Sequence, residues 1–420
     1  MTPIEYYSAA EITERLEQRL VKSLGSDTSV DRRTVLGGLG IAGSAAVGFG
    51  STRGSAGPAH DDEDEHGNFG AVDEYRDTDF DPHEFLTTFN TGESGQASVP
   101  QRVSEENGRT VREFEFNAVD TTITIAPGLE FEAWAFNGQV PGPTIRAVEG
   151  DLVRIEFTNF GQHAHTIHPH LKNLNPEMDG TPPNGPGVLD TGESFTYEWI
   201  AQPAGVHFYH CHSLPLKEHL HRGLYGTIIV DPDPERVSDN PGDYVTDHPS
   251  QITDAMRDDL VDEAKTRNHE YAENDAVNEM VMVMNSFDTN FDGENEVYAA
   301  NTRAFAYGVG ETDANGNWTA GETKRPIQID KNERQRVYLV NATEFDFINS
   351  FHTHSQFFDY YDHGTTLMPT SQTVDTIMQT QAQRGIIELD YADHQPGLYM
   401  FHAHQSEFAE LGWMSFFEVI

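Results

Sequence analysis

Four His-x-His pairs recur along this chain: His168/His170, His210/His212, His352/His354 and His402/His404. In an extended strand, residues i and i+2 face the same side. Each pair can therefore aim two imidazoles at one point while the residue between them faces away. One such pair arises by chance on any solvated strand. Four pairs at matching places in two similar stretches mark a metal site, and imidazole suits copper, zinc, iron and nickel.

Cys211, the only cysteine, narrows that choice. It lies between His210 and His212, so strand parity sends its sulfur to the opposite face. His165, three residues before His168, also faces away from its neighbouring pair, although Pro169 makes the strand geometry approximate. A thiolate with two imidazoles is the trigonal blue-copper set. The second imidazole comes from the loop after Cys211, where His219 and His221 compete. The position five residues on is Leu224 from His219 and Gly226 from His221. We favour His219, with Leu224 as an axial neighbour that cannot ligate and His221 as a rim residue. A weak or absent axial ligand is one lever on redox potential. A copper on Cys211 has a short covalent path through the backbone to His210 and His212.

Carboxylates flank these groups. Glu218 adjoins His219 and is a candidate for passing electrons from Fe(II), Cu(I) or Mn(II); a solvated charge is the simpler reading. Glu407 and Glu410 follow the last pair and are candidate proton donors or hydrogen-bond partners of imidazole, with Asp375 a poorer candidate. Met280, Met282 and Met284 alternate on one strand face, which is core packing. "DTNFDGENE" at Asp288–Glu296 begins like a calcium loop, but Ala299 stands at its twelfth position, so a turn held by Asx side chains is expected.

The elements that position these residues are short. From about residue 112, segments such as "REFEFNAV", "DLVRIEFTNF" and "GVHFYHCH" alternate in polarity between Gly, Pro, Asn and Asp. That pattern predicts an all-β fold. "VRIEFTNF…HTIHPH" corresponds to "QRVYLVNATEF…FHTH", and "PAGVHFYHCH" to "QPGLYMFHAH", so one sandwich occurs twice. The expected organisation is a leader over 1–60, an acidic extended arm over 61–111, a first β domain over 112–232, a linker with a helix over 233–277 and a second β domain over 278–420. Arg32-Arg33 followed by a Gly/Ala-rich run resembles a twin-arginine export signal. It predicts an extracellular or cell-surface protein, with membrane association only through an uncleaved leader. The net charge of −43 over 420 residues excludes a nucleic-acid partner. An acid-rich, lysine-poor surface also resembles that of halophilic proteins.

The stretches "FNGQVPGPTIRAVEGD", "HTIHPHL", "YHCHSLPLKEHLHRGLYG", "FHTH" and "FHAH" closely resemble the two-domain multicopper oxidases, laccase-like proteins built from cupredoxin domains, and the related copper nitrite reductases. The resemblance covers about 112–420. It implies two cupredoxin-like Greek-key β-sandwiches in tandem. It implies a type 1 copper on His165, Cys211 and His219. It also implies a trinuclear cluster of one type 2 copper and a type 3 pair on the eight paired histidines. It further implies a homotrimer whose clusters lie between subunits. The expected reaction couples one-electron oxidation of a phenol, amine or metal ion to four-electron reduction of dioxygen to water. Copper nitrite reductases carry an aspartate where His168 stands and bind one type 2 copper through three histidines, so that reading is second. A copper electron-transfer protein with an incomplete cluster is third.

Overall fold

The structure, a computed structural model, describes residues 80–89, 100, 102–246, 252–271, 277–309, 311–312, 318–319 and 325–420. The twin-arginine leader and the acidic run after it fall outside the described residues. Within the stretch expected to be an extended arm, α1 (Pro82–Thr87) is instead helical. Asp81 caps it by accepting from the His83 N–H at 2.8 Å, and Pro82 opens its first turn. Phe85, Leu86 and Phe89 are buried in apolar clusters. Phe85 and Leu86 on this short helix, and Phe89 just after it, are apolar anchors that an acid-rich composition masks.

Alternating polarity then builds the first sandwich. Its strands are β1 (Arg102–Glu106), β2 (Arg109–Ala126), β3 (Leu129–Phe136), β4 (Ile145–Val148), β5 (Leu152–Asn159), β6 (His168–Pro169), β7 (Ser194–Ile200), β8 (Gly205–His210) and β9 (Tyr225–Asp231), with helix α2 (Leu216–His221) between the last two. One sheet runs β1-β2-β5-β7 with β3 on β2; the other runs β4-β9-β8-β6. β1 and the start of β2 thus also lie within the expected arm. Between the sandwiches come α3 (Pro234–Asp239) and α4 (Asp254–Arg267), the latter capped by Thr253.

The second sandwich repeats the plan. Its strands are β10 (Val277–Phe287), β11 (Val297–Ala300), a short pair β12 (Glu311–Thr312) and β13 (Trp318–Thr319), β14 (Ile327–Ile329), β15 (Arg334–Asn341), β16 (Ile348–Thr353), β17 (Phe358–Asp362), β18 (Ser371–Val374), β19 (Thr376–Thr380), β20 (Arg384–Leu389), β21 (Gly397–His402) and β22 (Met414–Val419), with α5 (Ser406–Glu410) before the last. Its main sheets are β11-β10-β15-β20-β17-β18 and β14-β22-β21-β16-β19. The parallel pairs β2/β5 and β4/β9 recur as β10/β15 and β14/β22. The histidine strands also recur in register, with His168 opposite His210 and His352 opposite His402.

Strand parity on β10 joins the two sandwiches. Met280, Met282 and Met284 enter the core of the second sandwich. Val281 and Val283 face the other way and pack with Ile123, Phe131, Phe208 and Ile229 of the first. A buried ion network reinforces this seam. Glu279 accepts from Arg146 of β4 at 2.7 Å and from Arg336 of β15 at 3.2 Å. Arg146 also reaches Asp231, and Arg336 reaches Glu388. Tyr338 donates to Glu279 at 2.7 Å. The guanidiniums hold the Glu279, Glu388 and Asp231 carboxyls below their ordinary values against the opposing effect of burial.

Removing one partner from such a network leaves an uncompensated buried charge, which costs about 3–5 kcal/mol. Arg336→Met is expected to lower unfolding stability by about that amount in denaturant titrations. A loss below about 1 kcal/mol would show that water replaces the guanidinium.

Candidate metal centres

The first centre assembles at one end of the first sandwich. β8 runs out at His210, so Cys211 sits at its tip, with its sulfur among the apolar side chains of the first core. The Cys211 N–H donates to the Leu224 carbonyl at 3.0 Å. His165 comes from the segment before β6 and is pinned by paired backbone bonds to Leu189, each 3.0 Å. His219 comes from α2. Its Nδ1 stands 3.3 Å from Cys211 Sγ and 3.2 Å from His165 Nδ1, and His165 Nδ1 is 3.8 Å from the sulfur. The Thr166 N–H points at the sulfur from 3.4 Å. Leu224 is fully buried in the same apolar cluster and offers no donor atom.

His219 and His221 lie on a helix, where residues two apart diverge by about 200°. His221 therefore points away from the sulfur. It is not a rim residue: it is buried, its Nε2 meets the Asp288 carbonyl at 3.1 Å, and Phe131, Phe291 and Phe345 surround its ring. Treating residues 216–221 as a loop hid this distinction.

The donor set fits a copper ion. Two imidazole nitrogens and a sulfur converge, all buried. His165 Nε2 is buried without a partner, which leaves that ring free to carry its proton there and turn its Nδ1 lone pair inward. Burial raises the Cys211 thiol. Burial and the facing imidazole lower His165 to about 3, and burial lowers His219 to about 4. Metal binding must therefore displace the thiol proton.

The paired histidines form two further sets. His168, His170 and His210 lie with ligand atoms within 4.8 Å of one another, as do His352, His354 and His402. His170 Nε2 and His210 Nε2 are 3.1 Å apart; His354 Nε2 and His402 Nε2 are 3.0 Å apart. His212 and His404 flank these sets, their rings 5.3 Å from His168 and 4.9 Å from His352. Backbone carbonyls engage the opposite ring nitrogens: Asp179 at His168, Cys211 at His210, Asp375 at His352 and Ala403 at His402. In neutral rings those Nδ1 atoms donate, which frees each Nε2 to ligate. Burial lowers His170 to about 2 and His210 to about 3. Close nitrogens that resist protonation suit a cation between them. Among the described residues no metal-capable set mixes histidines of the two sandwiches.

The second sandwich has no counterpart of the sulfur centre. Asn349 stands where His165 does, and Ala403, whose N–H donates to Trp413, stands where Cys211 does. Ser350 repeats the role of Thr166: each hydroxyl accepts an N–H, from His404 and His212 respectively.

Other candidates fall outside these sets. Glu218 pairs with Arg222 at 3.3 Å. Glu407 and Glu410 lie on exposed positions of α5. Asp375, ranked below them on sequence, meets His352 through its backbone carbonyl at 2.9 Å, and Thr376 donates to its carboxylate at 3.1 Å. The Asp288–Glu296 turn joins β10 and β11 and is held as expected by Asx bonds, with Asp288 accepting from Asn290, Asp292 and Gly293. Sequence reading missed Trp134, which contacts both His165 and His219, and His163 packed against it.

Residues 117–235 and 288–420 each match a family model described as multicopper oxidase. A solved structure titled a multicopper oxidase shares 41% identity over 83% of this chain and 99% of its own, with a TM-score of 0.63. A copper-containing nitrite reductase of Neisseria meningitidis serogroup B is 33% identical over 138 residues, 32% of this chain and 33% of that protein. An L-ascorbate oxidase of Cucumis sativus is 44% identical over 102 residues, 23% of this chain and 16% of that protein. The chain thus spans a third or less of the length of these two curated relatives.

The buried imidazoles set a pH dependence. Their folded values lie below the ordinary 6.5, so the unfolded chain binds more protons once pH falls below 6.5. Stability present above that pH is lost progressively toward about 3. For metal-free protein, the urea midpoint is expected to fall steadily across that window. A flat midpoint would contradict the burial assigned to these rings.

Proposed function

The chain belongs to the multicopper oxidase family, and we propose that it is an exported oxidase coupling one-electron oxidation of a phenol, amine or metal ion to reduction of dioxygen to water. The observation that carries this reading is the ligand inventory: one Cys/His/His centre beside eight paired histidines, joined through Cys211. Copper on His165, Cys211 and His219 supplies one-electron transfer, and copper on the paired histidines supplies the multi-electron chemistry that dioxygen requires. Cys211 connects the two by backbone on both sides. The His210 Nδ1 contact with the Cys211 carbonyl, 2.8 Å, adds a hydrogen-bonded shortcut. His168 and His352 rest on carbonyls of Asp179 and Asp375, which hold their rings in place. Glu407, Glu410 and Asp375 are the acids available to deliver protons near the second set.

The two histidine sets are half-sites. Each is partly exposed on its own sandwich, and neither provides the full number of ligands for a three-copper cluster. A homotrimer in which one subunit's first sandwich meets the next subunit's second sandwich completes both. The leader directs export by the twin-arginine route, and the acid-rich surface suits high salt.

The similarity to nitrite reductases supports a second reading, nitrite reduction to nitric oxide. His168 argues against it, because it adds an imidazole where those enzymes carry an aspartate. With a phenolic reductant, purified copper-loaded protein is expected to consume one dioxygen per four electrons and to release no nitric oxide from nitrite. Nitric oxide without dioxygen uptake would reverse the assignment. Subunit mixing tests the assembly. His168→Ala and His352→Ala variants are each expected to be inactive alone, and to recover part of wild-type activity when unfolded and refolded together. No recovery would place each cluster within one chain.

A further inference from the structure

All three ligands of the Cys211 centre are shut off from solvent: His165 and Cys211 are 0% exposed and His219 is 3% exposed. A reductant in solution therefore has little direct access to a ligand edge. Among the described residues, Trp134 is the one aromatic side chain outside the ligand set that contacts both imidazoles. Its ring lies edge-on at 4.8 Å from His219 and 5.5 Å from His165. Outward, it packs against exposed His163 at 4.3 Å between centroids, tilted by 36°.

The ring is also held in place. The Trp134 backbone N–H donates to the Arg222 carbonyl at 3.0 Å, which fixes the main chain beneath the ring, and the Arg222 guanidinium packs over the ring 4.8 Å from its centroid. Arg222 in turn donates to the Glu132 carbonyl and to Glu218, the residue beside His219. Trp134, itself only 6% exposed, thus lies between exposed His163 and both ligands, with its position set from β3 and by Arg222 after α2.

We propose that Trp134 is the electron-entry bridge of this protein, and that an aromatic reductant docks on the His163 face of it. The inference rests on the oxidase reading above. The reductant gives up one electron, and a phenol also releases one proton to solvent. The electron is accepted at the His165–Cys211–His219 centre, and Trp134 itself ends unchanged. Because Trp134 touches ligands without ligating, it is a positioning and conducting residue, and removing it slows reduction without changing the driving force.

The test uses copper-loaded full-length protein under anaerobic conditions, with hydroquinone as the reductant and the bleaching of the blue band as the readout. A wild-type protein without a blue band defeats the copper reading itself, whatever the variants do. Given the band, Trp134→Leu is expected to bleach on the order of tenfold more slowly, with the band position and midpoint potential unchanged. Trp134→Phe keeps a ring and His163→Ala leaves the core untouched. Each is expected to slow bleaching by roughly threefold, which decides the matter if the leucine variant does not fold. Bleaching within about twofold of wild type in all folded variants overturns the proposal. A slowing matched by a shifted midpoint potential overturns it too, because Trp134 would then only shape the copper site.

Discussion

One strand end serves two centres, and this is the constraint on which the rest depends. β8 terminates at His210, and alternation along the chain sends successive side chains to opposite faces. Cys211 therefore points into the apolar core of the first sandwich while His210 and His212 point toward β6. The two centres cannot be moved independently. Anything that shifts the tip of β8 displaces the sulfur and two imidazoles together. This explains why so much of the local structure fixes that tip: the bond from Cys211 to Leu224, the hydroxyl of Thr166 on the His212 N–H, and the pairing of His168 with His210.

The second constraint is rigidity across the seam. If half-sites are to meet between subunits, the two sandwiches of one chain must hold a fixed relation. The shared apolar cluster supplies most of the attraction. The Arg146–Glu279–Arg336 network adds direction, because charges this deeply buried are tolerated only where each one meets its partner. Glu279 sits on β10, the strand whose two faces serve both cores. His221 adds a further tie, from the helix that carries His219 to the Asp288 turn of the second sandwich.

Much of this was legible in the chain. The histidine pairs, Cys211 and the doubled β pattern each depend on short-range periodicity, which a sequence displays directly. The choice of His219 over His221 rested on loop spacing, whereas what brings His219 and not His221 beside Cys211 is a helix that separates the two. Trp134 could not be found that way. It lies on another strand, 85 residues before His219 by number, and one tryptophan in an apolar strand looks like any core residue. The ion network was invisible for the same reason: Arg146 and Glu279 are 133 residues apart. The helix at residues 82–87 was hidden by acidic neighbours, which report on the solvent face and not on Phe85, Leu86 and Phe89.

The central claim is that Cys211 joins a one-copper centre to a three-copper one. Counting copper per purified chain together with the visible and near-ultraviolet spectrum tests it most directly. The account predicts four coppers per chain, an intense blue band, and a near-ultraviolet shoulder from a coupled pair. Two coppers per chain with a blue band and no shoulder would contradict it, and would leave the paired histidines holding a single ion.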